Sequence, residues 1–225
     1  MQNFVFILEL IGTVSFAVSG AIASIDKEMD IFGVLFLSLT TCFGGGLMRD
    51  VLIDRTPAFF TSFLHIGCAV VTALAVFILA AAFKRQYIEN ERVVDSVNNY
   101  FDAAGLGVFA VMGTKICIGA GFDSPLVAIF LGMLTSVGGG MIRDLCLRKI
   151  PFVFNKRVYA VASLLGASLY YLLLKISFIP EYLSFLAGII LVVAIRILAT
   201  VFKLNMPKAI IFKKDSPRTK NNNTV

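Results

Sequence analysis

One seven-residue motif occurs twice in this chain and combines glycines with an arginine and an aspartate. Gly44 to Asp50 reads GGGLMRD, and Gly138 to Asp144 reads GGGMIRD, 94 residues later. Each glycine inside a helix costs about 1 kcal/mol relative to alanine. A charged pair on the third and fourth residues after the glycines is costly if it lies in lipid. Because the chain carries both costs twice, the motif indicates a functional site built from peptide carbonyls, guanidinium groups and carboxylates.

The composition places this motif in a membrane. The chain of 225 residues is 58% hydrophobic and only 15% charged, with a mean hydropathy of +0.88. Soluble domains are about 25% charged. The apolar runs are long enough to cross a hydrocarbon core of roughly 30 Å. The net charge of +6 is therefore interpreted through membrane topology and does not indicate nucleic-acid binding.

Hydropathy predicts an all-α membrane protein with seven transmembrane helices. The predicted spans are 3–24, 31–53, 58–83, 100–118, 125–147, 158–177 and 182–202. Short polar or proline-containing segments separate them, including Lys84 to Asn99. The first span has no basic segment before it and contains Glu9, so we do not expect a cleaved signal peptide.

The repeat extends well beyond the glycines. At an offset of 93 or 94 residues, matches include Gly12 with Gly105, Phe16 with Phe109, Gly20 with Gly113, Thr41 with Thr135 and Pro57 with Pro151. Three spans in each copy predict two copies of opposite orientation, a pattern typical of transporters and channels. The predicted division is 1–97 and 98–178 for the two repeats, 179–203 for the seventh helix, and 204–225 for a basic, disordered cytoplasmic tail.

Lysine and arginine predict the orientation. With the N-terminus outside, 14 of them lie on the inner side and three on the outer side. The positive-inside rule then places the C-terminus in the cytoplasm. We expect a multi-pass protein of a prokaryotic plasma membrane in contact with its lipids.

Two interpretations of the glycines are open. Small residues allow helices to pack closely. Alternatively, Gly44, Gly45 and Gly46 break one helix, and Gly138, Gly139 and Gly140 break another, so that freed carbonyls face water and replace a cation's hydration shell. We favour the break, which makes the triplets pore or hinge residues. Nearby hydroxyls would add ligands to the pore; these belong to Thr40, Thr41, Thr135 and Ser136.

The charged residues are predicted to pair between helices. Neighbours in sequence do not face each other on a helix, so we expect Arg49 to bind an acid other than Asp50. Depth in the membrane predicts the pairs Glu9–Arg49 and Asp102–Arg143. These pairs either only hold helices together or flank a pore as gating charges, together with Asp50 and Asp144.

The remaining polar residues indicate neither an enzyme nor a metal site. The four cysteines show no CxxC spacing, and His65 is the only histidine, to which we assign no role. A glycine run beside an arginine can bind anions, but no nucleophile or metal set accompanies it. No cofactor is expected beyond a permeant cation. Arg196 is predicted either to extend to the cytoplasmic edge, which we favour, or to pair across a subunit interface, and Lys115 is predicted to lie at the headgroups.

The doubled GGGxxRD motif, on the second helix of each three-helix unit and followed by a seventh helix, resembles the prokaryotic trimeric intracellular cation (TRIC) channels. Members have also been labelled glycine-transporter-domain proteins. The resemblance covers residues 4 to 202. It implies a homotrimer with one pore per protomer, passing potassium and sodium, lined by the second and fifth transmembrane helices.

A secondary transporter for a small amino acid such as glycine is the alternative function. Inverted repeats with interrupted helices also bind carboxylate and amine groups near the membrane midplane. Sequence patterns alone do not separate the two, and the family resemblance favours the channel.

Overall fold

The structure is a computed structural model that describes residues 2–155, 158–176 and 178–202. Within these ranges the protein is all-helical, as the composition predicts, with nine α-helices and one 3-10 turn at Ala58–Phe60. The helices are α1 (Gln2–Ile25), α2 (Ile31–Leu52), α3 (Phe63–Ala82), α4 (Lys84–Glu89), α5 (Glu91–Gly119), α6 (Pro125–Cys146), α7 (Phe152–Asn155), α8 (Tyr159–Leu174) and α9 (Glu181–Val201). The tail predicted at 204–225 lies outside the described residues.

Six of the described helices are long and apolar enough to cross a membrane: α1, α2, α3, α5, α6 and α9. The predicted count of seven spans is not confirmed, because α8 has only 16 residues. At 1.5 Å per residue it extends about 24 Å, less than the roughly 30 Å hydrocarbon core. The helix ends where Lys175 pairs with Asp123 at 2.7 Å.

The polar segment predicted between the two repeats is helical. Lys84–Glu89 forms α4, and α5 begins at Glu91, so α5 has 29 residues. Arg85 and Glu89 pair at 2.8 Å with the i, i+4 spacing that stabilises exposed helices. Polar composition alone therefore misplaced the start of α5.

The glycine triplets do not break their helices. Both α2 and α6 continue as α-helix through the triplets to their ends at Leu52 and Cys146. Gly45 and Gly139 lie where the two helices cross, and a Cβ on either would overlap a backbone carbonyl of the other helix. The expected helix break is therefore wrong, because the absence of side chains is used for close packing.

Residues 94 apart also adopt matching loop conformations. Asp54 and Arg148 both have φ of +52° directly after α2 and α6. The amide of Arg55 donates to the carbonyl of Asp50 at 2.8 Å, and that of Lys149 to Asp144 at 2.9 Å. The sequence repeat thus corresponds to a repeated local fold.

The centre of the molecule lies where α1 packs on α5. The rings of Phe16 and Phe109 are 5.1 Å apart there. Gly105 leaves the space that the Phe16 ring occupies, and a Cβ at Gly12 would lie 3.1 Å from the Phe109 ring. Phe16 is buried and Phe109 is half-buried, and their helices pack against α2 and α6, which carry the repeated motifs.

Candidate functional site

The end of α2 is closed by a local ion pair. Nε and Nη2 of Arg49 donate to Oδ1 of Asp50 at 2.9 and 2.7 Å. The second oxygen of Asp50 accepts from the amide of Ala58 at 3.0 Å, which holds the following loop against the helix. Asp50 is buried, so these bonds replace its hydration. Arg49 therefore pairs with its neighbour and not with Glu9, contrary to the sequence prediction.

The end of α6 repeats this arrangement. Nε of Arg143 donates to Asp144 at 2.9 Å, and the amide of Phe152 donates to the other oxygen of Asp144 at 3.0 Å. Arg143 also reaches across to Asp102 on α5, with Nη1 3.2 Å from Oδ1. The predicted Asp102–Arg143 pair is confirmed. Asp144 is an additional partner, because the long arginine side chain folds back onto its neighbour at the helix end.

Asp102 is the centre of a buried, neutral cluster. The hydroxyl of Tyr159 donates to it at 3.3 Å, and Nη2 of Arg196 lies 3.6 Å from its second oxygen. Arg196 also donates to Asn99 at 2.8 Å and is 2% exposed. The prediction that Arg196 extends to the membrane edge is therefore wrong. The cluster contains two arginines, Arg143 and Arg196, and two aspartates, Asp102 and Asp144. Their charges balance, as burial requires.

The corresponding residues of the first repeat lack a second arginine to balance their two carboxyl groups. Glu9, the counterpart of Asp102, faces His65, whose Nε2 lies 3.6 Å from the Glu9 carboxylate. No described arginine forms an ion pair with Glu9 at this end. The group of Glu9, Arg49 and Asp50 contains two carboxyl groups and one guanidinium group. His65 occupies the position of Tyr159, 94 residues earlier, and applying the repeat offset to His65 would have identified it.

A cavity of about 80 Å³ lies beside this group, between α1, α2, α3 and α5. Its wall includes the polar and charged side chains of Glu9, Thr13, Arg49, Asp50 and His65. Gly46 and Thr135 line it near the crossing of α2 and α6. The cavity thus connects the charged residues of the first repeat with the glycine crossing.

A second cavity of about 390 Å³ lies at the other end of α1. Two carboxylates, Asp26 and Asp95, and one cation, Lys149, line it together with Asn98, and none of its lining residues belongs to the first cavity. Asp26 and Glu9 are separated by 17 residues, or about 25 Å of helix. Burial raises the pKa of Asp26, which accepts a hydrogen bond from Tyr87 at 3.0 Å.

A polar link connects this second cavity with Arg143. The hydroxyl of Ser19 donates to Asn98 at 2.7 Å and accepts from Arg143 at 2.6 Å. Ser19 lies on α1 between the two cavities and is fully buried. Neither Ser19 nor Asn98 belongs to the repeated motif, so the sequence pattern gave no signal for them.

The predicted hydroxyl and glycine residues divide into two groups. Thr41 and Thr135 donate to carbonyls of their own helices, at 2.7 and 2.6 Å, and their own carbonyls lie at the glycine crossing. Ser136 bonds to Ser163 on α8, and Thr40 bonds back to Phe36. A Cβ at Gly44 would contact Ile142, and one at Gly140 would contact the Tyr159 hydroxyl. Of these residues, Gly46 and Thr135 line the first cavity, and Gly45 and Gly139 lie at the helix crossing.

A family model described as "Glycine transporter" matches the chain in two segments, residues 6–81 and 99–175. A UPF0126 membrane protein of Deinococcus radiodurans is 40% identical over 194 residues, covering 84% of each chain. The UPF0126 inner membrane protein YadS of Escherichia coli is 31% identical over 204 residues, covering 90% of this chain and 95% of YadS.

A solved structure of the TRIC trimeric intracellular cation channel orthologue from Rhodobacter sphaeroides is also similar. It shares 29% identity and a TM-score of 0.79, covering 89% of this chain and 98% of the solved one. The two matched segments each contain one GGGxxRD motif with its acidic and aromatic partners. The family consists of membrane ion channels and not of enzymes, as the sequence predicted. The chain therefore belongs to the prokaryotic TRIC channel family, which the glycine-transporter model describes.

Proposed function

We propose that this protein is a channel for monovalent cations, potassium and sodium, with one pathway in each protomer. The observation that carries the proposal is the pair of separate cavities, each with acidic side chains, at the two ends of α1. The glycine crossing of α2 and α6 lies between them. We place the pathway along α1, past this crossing.

The charge distribution favours cations over anions. Arg49 and Arg143 each carry an aspartate at hydrogen-bond distance, so neither presents an unbalanced positive charge to the pathway. Glu9 in the first cavity has no arginine partner. An uncompensated carboxylate in a narrow, low-dielectric cavity raises the local cation concentration.

The described conformation represents a closed pathway in this proposal. Gly45 and Gly139 lie against the backbone of the opposite helix, and the Phe16 and Phe109 rings pack together between α1 and α5. Opening requires a small separation of α2 from α6. The carbonyls of Thr41 and Thr135 at the crossing are the oxygens available to replace water around a passing ion.

The wider architecture proposed for this function is two inverted three-helix repeats, 1–97 and 98–178, and a seventh helix, 179–203. The matched loops and the two family-model segments support the repeats. We propose that α8 completes the second repeat despite its length. We also propose a homotrimer, which the similar solved structure described as trimeric supports. The proposed location is a prokaryotic plasma membrane, with the N-terminus outside and the C-terminus in the cytoplasm.

Recording from purified protein in a planar lipid bilayer tests the proposal. A potassium chloride gradient is expected to give unitary currents whose reversal potential approaches the potassium equilibrium potential. The absence of unitary currents, or a reversal potential near that of chloride, contradicts a cation channel.

Transport of glycine is the second candidate, because the matching family model carries that description. Proteoliposomes loaded with unlabelled glycine separate the two functions. Accumulation of labelled glycine by counterflow, without unitary currents, identifies a carrier. Unitary currents without counterflow identify a channel.

A further inference from the structure

We propose that Glu9 and His65 form a binding site for a divalent transition-metal ion such as Zn²⁺. The two side chains come from different helices, α1 and α3, and both line the cavity of about 80 Å³. Binding does not depend on the proposed channel function. The effect of bound metal on ion flow, described below, does rest on it.

The distance between the two side chains fits a shared metal ion. Nε2 of His65 lies 3.6 Å from Oε2 of Glu9, too far apart for a hydrogen bond. Zinc binds imidazole nitrogen and carboxylate oxygen at about 2.0–2.2 Å, which places the two donors of a tetrahedral site about 3.4 Å apart. A shift of a few tenths of an ångström therefore converts this pair into two metal ligands.

His65 has an unused coordinating nitrogen. Its Nε2 atom is buried without a hydrogen-bond partner, although its side chain lines the cavity together with Glu9. A buried polar atom without a hydrogen-bond partner is unusual in folded proteins, and this nitrogen is free to coordinate a ligand. The ring of Phe6 packs against the imidazole edge at 5.4 Å, which limits its rotation.

The surrounding charges permit a cation here. Arg49 is neutralised by Asp50 at 2.7 Å, and Lys115 is neutralised by Glu181 at 2.6 Å. Arg55, on the loop after α2, is exposed. Glu9 thus supplies negative charge to the cavity, and its side chain is 33% exposed, so an ion can reach it.

The ligand types select the metal. Imidazole with one carboxylate suits Zn²⁺ or Ni²⁺, whereas Mg²⁺ and Ca²⁺ prefer oxygen ligands. The described residues contain no group of three or more histidine, cysteine or acidic side chains placed for a metal. Water would therefore complete the coordination, giving an exchangeable ion and not a permanent structural one.

The second repeat does not offer the same site. Tyr159 replaces the imidazole there, and Arg196 lies 3.6 Å from Asp102. A phenol and a guanidinium beside the carboxylate exclude a divalent cation. The site therefore belongs to the first repeat alone, and metal bound there would occupy the cavity at one end of the proposed pathway.

Nitrogen-15 NMR of the full chain, labelled at histidine, tests the binding. His65 is the only histidine in the sequence, so a protein freed of any affinity tag gives the resonances of one imidazole. Zn²⁺ is expected to shift them in saturable fashion, and Mg²⁺ to leave them unchanged. Unchanged resonances with Zn²⁺ overturn the site.

Two matched variants test whether Glu9 takes part. Glu9→Gln is expected to weaken Zn²⁺ binding by about tenfold or more, since even outer-shell changes at metal sites cost that much. Glu89→Gln makes the same chemical change at an exposed carboxylate and is expected to bind as the wild type does. Equal binding by the two variants shows coordination by imidazole alone and overturns the proposal.

Bilayer currents separate this proposal from the channel function. If the protein conducts, Zn²⁺ is expected to reduce the wild-type current and to have at least about tenfold lower potency on His65→Gln, as loss of a ligand demands. A zinc-dependent NMR shift in a protein without currents keeps the metal site and contradicts the channel. Currents unaffected by Zn²⁺ despite binding contradict the placement of the cavity on the pathway.

Discussion

Gly45 and Gly139 occupy equivalent positions on α2 and α6, and each lies against the backbone of the other helix. A Cβ on Gly45 would overlap the carbonyl oxygen of Thr135, and one on Gly139 would overlap that of Thr41. Backbone atoms cannot move aside as a flexible side chain can. The separation of the two helices is therefore determined by the absence of side chains at these two positions.

Alanine at either glycine is expected to destabilise the protein. Gly45→Ala or Gly139→Ala forces α2 away from α6, and overpacking of this kind costs about 1–3 kcal/mol. Thermal unfolding in detergent, followed by size-exclusion chromatography, measures the loss. Gly46→Ala is the matched control, because the nearest side-chain atom is Nη2 of Arg49 at 3.7 Å. Equal melting temperatures for the three variants contradict the close crossing.

Removal of the Asp102 charge is expected to destabilise the second repeat strongly. Asp102→Asn leaves Arg143 and Arg196 with only Asp144 to balance them, and an uncompensated buried charge costs about 3–5 kcal/mol. Adding Arg196→Met restores the balance and should recover much of the lost stability and expression. A double variant no more stable than Asp102→Asn contradicts the four-residue balance.

Neutralising Glu9 is expected to lower cation conductance in a salt-dependent manner. Glu9→Gln removes the uncompensated charge of the first cavity, so potassium conductance should fall by about twofold or more at low ionic strength. The difference should shrink at high salt, where screening is stronger. Glu89→Gln, an exposed site, serves as the control in the same recordings. A conductance of Glu9→Gln equal to the control at every salt concentration contradicts the role of this charge.

Acid on the side of the Asp26 cavity is expected to reduce conductance. Burial raises the pKa of Asp26, so its negative charge is lost at a higher pH than the ordinary value of 3.8. As the pH falls through this raised pKa, the cavity attracts fewer cations. Unitary conductance measured against the pH of one chamber should fall for the wild type and show less dependence for Asp26→Asn. Identical pH profiles contradict this assignment.

The sequence predicted the helical class and the Asp102–Arg143 pair, because these depend on hydropathy and membrane depth. It did not predict the use of the glycines. A helix break and a close crossing both require the absence of Cβ, and only the neighbouring helix distinguishes them. The continuous α2 and α6 show which one applies.

The charged partners were predicted less well, for two physical reasons. The rule that neighbours do not face each other fails for Arg49, whose long side chain folds back onto Asp50 at the helix end. Whether Arg196 is buried or reaches the membrane edge depends on which face of α9 packs inward, and hydropathy does not contain that information. His65, in contrast, could have been singled out from the sequence, because it lies 94 residues before Tyr159, the same offset that separates the two GGGxxRD motifs.

The most direct test of conduction past the α2–α6 crossing compares two neighbouring cysteine variants. In a background lacking the four native cysteines, Ser62→Cys places a thiol in the wall of the first cavity. Thr61→Cys places one at the adjacent exposed position outside that wall. A positively charged methanethiosulfonate reagent is expected to lower the unitary potassium conductance of Ser62→Cys and to leave that of Thr61→Cys unchanged. Equal effects on both variants, or no unitary currents from either, would contradict the proposed pathway.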